Sequence, residues 1–170
     1  MKKTIFICMA TLFVAASLLV VMTSCGTSSQ KQQPAAAEKT SALKVTAPPP
    51  KDEWHRFPKP EFVESKVVEK ELMGKPFMPG GNWARYKGAK GEYEMFFARL
   101  TSADDATLLV AEWKAHMTNP KLVSSFNGYF GEDNGRPVFV FPKESWIGGI
   151  VGLPQQDAEA KARLLAAYLY

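Results

Sequence analysis

Tyr93, Met95 and Phe97 alternate with Phe96, Ala98 and Leu100, so a strand read over Glu92 to Leu100 is apolar on both of its faces. A strand of that kind belongs at the centre of a sheet, covered on both sides. Trp83 to Lys87 supplies one neighbour, joined to it through the glycine-bearing loop Gly88-Ala89-Lys90-Gly91. After it comes Ser102, with Asp105 three positions later, which is the spacing of a capping box with Asp in place of Glu. A helix is expected from there. Ala106, Leu109, Val110, Trp113 and Met117 recur at three- and four-residue spacing as its buried stripe, and Asn119-Pro120 ends it.

Three further strands are expected in a meander. Leu122 to Phe130 connects to Arg136 to Phe141 through Glu132-Asp133-Asn134-Gly135, where Asn-Gly is the favoured type I′ pair. Pro142 to Ser145 forms the next turn, and Trp146 to Leu153 is the third strand. Gly148-Gly149 within it marks a bulge or a close backbone approach. Pro154 can open a second helix, whose stripe is Ala158, Ala162, Leu165 and Leu169. The expected fold is α+β over residues 79–170: a small antiparallel sheet in the order ββαβββα, with both helices on one face. Residues 82–170 hold 14 of the 20 aromatics, enough apolar bulk for one modest core.

The chain before this domain has a different composition. Residues 25–60 read as a tether: Ser, Gln, Ala and Lys without apolar periodicity, then Pro48, Pro49, Pro50, Pro58 and Pro60, which block helix and ladder alike. As a flexible coil such a stretch reaches on the order of 30 Å. Trp54 to Phe57 interrupt it, either as a docking motif or, on the favoured reading, as aromatics packed on the edge of the domain. Residues 61–78 are transitional, with Phe62, Val63, Val67, Val68 and Leu72 among charges that suit a strand or a short helix. Pro79-Gly80-Gly81 then breaks the chain.

Met1-Lys2-Lys3 is a short positive segment, Thr4 to Met22 is almost wholly apolar, and the small residues Thr23 and Ser24 precede Cys25. This ensemble resembles the type II signal peptide and lipobox of bacterial lipoproteins, with Met22 standing where Leu is usual. The resemblance implies that residues 1–24 are removed by cleavage between Ser24 and Cys25. The Cys25 sulfur then carries a diacylglycerol thioether, and the new amine is often acylated with a further chain such as palmitate. Two or more chains, at about 0.8 kcal/mol per buried methylene, hold a protein durably on a membrane. The competing reading is an uncleaved transmembrane anchor, since the apolar run is close to the ~20 residues that span a bilayer. Gly26 is not the Asp that retains enterobacterial lipoproteins in the inner membrane, which favours the outer membrane where two exist.

Processing simplifies the rest. Cys8 leaves with the signal peptide and Cys25 is consumed by lipid, so the folded part has no disulfide, thiolate nucleophile or Cys-ligated metal. Loss of Lys2 and Lys3 changes 21 basic and 17 acidic side chains to 19 and 17, a net of +2. Residues 79–170 carry ten of each sign, which argues against a nucleic-acid partner.

Two short stretches also resemble the SPOR peptidoglycan-binding domain, which twice pairs a strand ending in a glycine-bearing turn with an alanine-rich helix. They are Thr101 to Ala106 with the strand before them, and Gly149 to Leu153 followed by Asp157 to Ala160. A two-fold repeat is conceivable on this basis. The resemblance implies binding to cell-wall glycan.

No catalytic, metal-binding or cofactor constellation stands out. His55 and His116 are far apart in the chain, His116 suits the dipole at a helix end, and Gly80-Gly81 and Gly148-Gly149 lack the context of a phosphate loop. Glu92 and Glu94 could act as acid and base if they converged with another polar group in a concave pocket. Trp83, Tyr86, Tyr129 and Trp146 are the candidate binding residues, with Phe130 in the same aromatic set and Arg85, Lys87 and Asn127 as nearby hydrogen-bonding groups. The expected function is that of a membrane-anchored cell-envelope lipoprotein, a non-enzymatic binding or assembly module with an envelope protein or cell-wall partner. An envelope hydrolase and a SPOR-like peptidoglycan binder are the alternatives.

Overall fold

The computed structural model describes residues 45–170. The signal peptide, Cys25 and the first part of the tether lie outside the described residues. Seven strands form one antiparallel sheet: β1 (Phe62–Lys70), β2 (Pro79–Gly88), β3 (Gly91–Arg99), β4 (Thr118–Val123), β5 (Gly128–Asp133), β6 (Arg136–Lys143) and β7 (Trp146–Val151). Their spatial order is β1-β2-β3-β7-β6-β5-β4. Helix α1 (Ala103–Ala115) follows β3, and α2 (Gln155–Ala166) follows β7. The fold is therefore α+β, built on an antiparallel sheet with two helices.

The helices lie on opposite faces, which corrects the expectation that they share one. On one side Ala106, Leu109, Val110 and Trp113 of α1 pack with Phe96, Ala98, Val138, Val140, Ile147 and Val151. On the other, Ala158, Ala162, Leu165 and the following Leu169 pack with Tyr93, Met95, Phe97, Phe139, Phe141 and Ile150. The cause is the apolar character of both faces of β3, β6 and β7, which a single helical layer leaves half exposed. A two-fold axis relating the antiparallel neighbours β3 and β7 would stand perpendicular to the sheet and would keep both helices on one face, so helices on opposite faces do not fit β3–α1 and β7–α2 as copies.

The strand order also departs from ββαβββα, becoming βββαββββα. The transitional segment is an edge strand, β1, paired from Phe62–Tyr86 to Lys70–Pro79 with a bulge between Phe62 and Glu64. Pro79-Gly80-Gly81 opens β2 rather than breaking the chain. At Gly80 a Cβ would stand 2.2 Å from the Glu69 carbonyl oxygen, so only glycine allows the two backbones to approach. The stretch Leu122 to Phe130 is two strands, since Asn127 adopts φ 51° and turns the chain into Gly128. Asn119-Pro120 ends no helix, because α1 already stops at His116; it enters the edge strand β4, where a missing N–H is tolerated.

The signal at the start of α1 holds. Ser102 Oγ accepts the Asp105 amide at 3.1 Å, and both acidic residues of the first turn favour the positive end of the helix. Asn134 and Gly135 both have positive φ, as a type I′ turn requires.

The tether expected over residues 25–60 is shorter than that at its C-terminal end. Val45 and Ala47 pack against the α1-side core, and Phe57 is 3% exposed within the α2-side core. The arm 45–57 thus passes from one face to the other around the ends of β2 and β3. Extended proline-rich backbone forms no ladder, so its polar groups are met individually: Asn82 Nδ2 donates to Lys51 O at 2.9 Å, Asn82 Oδ1 accepts from Glu53 N at 3.1 Å, and Thr46 O accepts from Thr101. The aromatics at 54–57 divide, with Phe57 buried and Trp54 52% exposed.

Gly149 lies at the crowded centre. A Cβ there would meet the Phe96 ring at 2.2 Å, and that ring is itself stacked on Trp113 with centroids 5.0 Å apart. Gly149→Ala is expected to destabilise the fold by about 1–3 kcal/mol through overpacking. Urea unfolding checks this, with Leu108→Ala on the exposed side of α1 expected to stay within about 0.5 kcal/mol of the parent.

Candidate functional site

Helix α1 covers the centre of its face but not the part formed by β1 and β2. There the connection from Glu71 to Met78 lies over the sheet and leaves a cleft of about 360 Å³, lined by Lys66, Val68, Glu71, Met73, Gly74, Trp83, Glu94 and Arg136. Strand register brings these residues together. Lys66 pairs with Trp83, Trp83 with Phe96, and Glu94 and Val138 both with Val151, so Glu94 and Arg136 approach each other across β7. Glu94 Oε2 accepts the Trp83 indole N–H at 2.9 Å, and Oε1 accepts from Arg136 Nη2 at 2.7 Å. The Lys66 ammonium lies 4.7 Å from the centre of the Trp83 ring.

The wall of the cleft is held from behind. Lys75 Nζ donates to Asp133 Oδ1 at 2.6 Å, and Trp113 Nε1 donates to Asp133 Oδ2 at 2.8 Å. Asp133 is 7% exposed, so both of its oxygens need these donors. Phe77 stacks on His116 with centroids 4.8 Å apart, tying the same connection to the end of α1. Within it Glu71 and Met73 have φ of 55° and 61°, a left-handed backbone that costs non-glycine residues of order 1–3 kcal/mol. Strain of that kind persists only where surrounding contacts enforce it, and here it shapes the cleft wall.

The sequence candidates separate on this geometry. Trp83 is half-buried at the cleft. Tyr86 and Trp146 are not binding surface: Tyr86 is fully buried with its hydroxyl donating to Pro58 O at 3.0 Å, and Trp146 is 2% exposed against Phe97. Both rings are claimed by the core because β2 and β7 direct them to the α2 face. Tyr129 is half-buried on β5 with the Lys114 ammonium 4.7 Å from its ring centre, and it does not line the cleft. Of the carboxylates, Glu94 reaches the cleft with both oxygens engaged, whereas Glu92 is exposed and ion-paired with Arg85 at 3.6 Å. Lys66 and Arg136 escaped the sequence reading, since each is one charge among many until register places it. Among the described residues no group of three His, Cys, Asp or Glu could hold a metal ion, and no helix is long and apolar enough to cross a membrane.

A second cluster lies where α2 meets the β2–β3 hairpin. Tyr93 Oη donates to Glu61 Oε2 at 2.7 Å, and Lys161 Nζ donates to the same oxygen. The Lys161 bond, then the Tyr93 bond, hold the Glu61 carboxyl below its ordinary value. Burial raises the Tyr93 phenol well above the usual range, reinforced by the hydrogen bond to the Glu61 carboxylate, and burial alone raises Tyr86. Neither phenol can serve as a base near neutral pH. The adjoining cavity is about 170 Å³, smaller than ordinary ligand sites of about 300–1,000 Å³. This cluster works as a clamp.

Compared with known protein families, with characterised proteins and with solved structures, the chain matches none.

The raised phenols make a prediction for alkaline pH. A group whose folded pKa exceeds its unfolded value contributes stability that is complete below the unfolded value, about 10 for tyrosine, and is lost as pH rises. Spectrophotometric titration is therefore expected to leave two of the five tyrosines un-ionised above pH ~10 until the fold opens, with circular dichroism falling in step.

Proposed function

We propose that this chain is a lipid-anchored protein of the bacterial cell envelope whose folded part binds another envelope component without catalysing a reaction. The anchor is Cys25, behind its apolar run and small residues. The observation that carries the binding reading is the state of Glu94. It lines the cleft, and its two oxygens accept from Trp83 and Arg136. A hydrolase of the kind considered for Glu92 and Glu94 needs a carboxylate free to take or give a proton. Glu94 instead orients an indole, as a binding surface needs. The partner is an envelope protein or cell-wall material, and the chain from Cys25 to residue 44 would let the domain stand off the membrane.

Mass spectrometry of the mature protein is expected to show an acylated N-terminal cysteine at position 25. Cys25→Ser is expected to block both lipidation and cleavage, so that mass spectrometry finds residues 1–24 still attached and no acyl chain. Crosslinking in intact envelopes should recover a specific partner that depends on residues 79–170. Recovery of no partner, with the lipid in place, overturns the binding reading and leaves the anchor standing.

A further inference from the structure

The Trp83 cleft is built for a neutral sugar, and we infer that it takes a pyranose-based glycan, an inference that rests on the binding reading above. The indole is fixed before any ligand arrives, because its N–H is already donated to Glu94. Its edge is therefore spent, and its face is what remains to offer. Around that face the cleft presents both kinds of hydrogen-bonding group: acceptor oxygens on the Glu71 carboxylate, and the N–H groups of Arg136 that Glu94 does not use. A pyranose ring has the matching anatomy, an apolar patch of C–H bonds for the indole and equatorial hydroxyls that donate and accept. The volume of about 360 Å³ lies within the range of small-ligand sites, about 300–1,000 Å³.

Charged ligands fit less well. A phosphate or carboxylate would face both Glu71 and Glu94, and with Arg136 already paired at 2.7 Å only Lys66 is left to set against two carboxylates. A quaternary or methylated ammonium is held by several aromatic faces together, and Trp83 is the one aromatic ring lining this cleft. A neutral polyol meets neither obstacle.

Lys66 gives the inference its sharpest consequence. Its ammonium occupies the face of Trp83 at 4.7 Å, where a sugar ring would stack, so ligand and lysine compete for one surface. Removing the lysine should improve binding, contrary to the usual effect of deleting a polar side chain from a site.

The test uses the full chain in detergent micelles and calorimetric titration with two probes, the β-1,4-linked trimer of N-acetylglucosamine and maltotriose. The first represents cell-wall glycan and the second a glycan of other origin. Binding of either probe, lost in Trp83→Ala and retained in weakened form by Trp83→Phe, is the expected result. Lys66→Ala is expected to tighten binding by about threefold, the size of an exposed cation–π contact. Lack of binding by both probes up to about 10 mM overturns the glycan assignment. Weaker binding in Lys66→Ala also overturns it, and that variant keeps the test decisive if Trp83→Ala does not fold. A crosslinked envelope partner recovered alongside a failed titration would reject the glycan while leaving the binding reading intact.

Discussion

Everything in this fold follows from burying both faces of β3, β6 and β7. Phe96, Val138, Val140 and Ile147 point one way while Phe97, Phe139, Phe141 and Ile150 point the other, and all are 3% exposed or less. One helix can cover one face, so the chain must deliver a helix to each. It does so by placing α1 after β3 and α2 after β7, the two strands that sit side by side at the middle of the sheet. Gly148 and Gly149 on β7 are the counterpart of that crowding, because the Phe141 and Phe96 rings fill the space where their side chains would stand. Without disulfides in the folded part, this two-sided aromatic packing carries the stability.

A seven-stranded sheet is wider than the helix laid on it, and that mismatch produces the cleft. On the α1 face the centre is sealed by Trp113 and its neighbours, whereas β1 and β2 are left to an irregular connection. That connection is held by buried polar contacts, Lys75 and Trp113 on Asp133, and by Phe77 against Trp113 and His116. Breaking a buried pair of this kind by removing one partner typically costs about 3–5 kcal/mol, since the remaining charge has nowhere to go. The same residues that stabilise the α1 layer therefore also define the opening beside it.

The helices, the glycine-bearing hairpin, the Asn134-Gly135 turn and the central position of β3 were all legible, because each rests on local spacing. What was not legible depends on relations between distant segments. Apolar periodicity identified the stripes of α1 and α2 without saying which face each would cover; the alternating faces of β3 held that information, and it pointed to two layers. The Asn127-Gly128 pair carries the same turn signal as Asn134-Gly135, and the apolar residues on either side of it mask that signal as a continuous strand. Proline runs marked residues 48–60 as non-ladder backbone, correctly, yet such backbone can still pack when a side chain such as Asn82 satisfies its amides. For the site, Trp83 and Glu94 were both candidates, for different reasons. Only cross-strand register joins them and brings Arg136 within reach.

That joining changes what the aromatic set means. Four rings were candidates for contact with a partner, and the fold consumes two of them outright, because β2 and β7 turn Tyr86 and Trp146 toward α2. Trp83 escapes by parity, standing one pleat away from Ala84 and three from Tyr86 on the same strand, so it faces the α1 side where cover is incomplete. A large indole at a half-covered position would ordinarily be free to rotate and bury itself. Glu94 and Arg136 prevent this by fixing the N–H, and the ion pair that fixes it also spends the charge that would otherwise attract counter-ions. The result is an indole held in place beside a neutralised ion pair, an arrangement in which the fold itself settles the orientation of the ring.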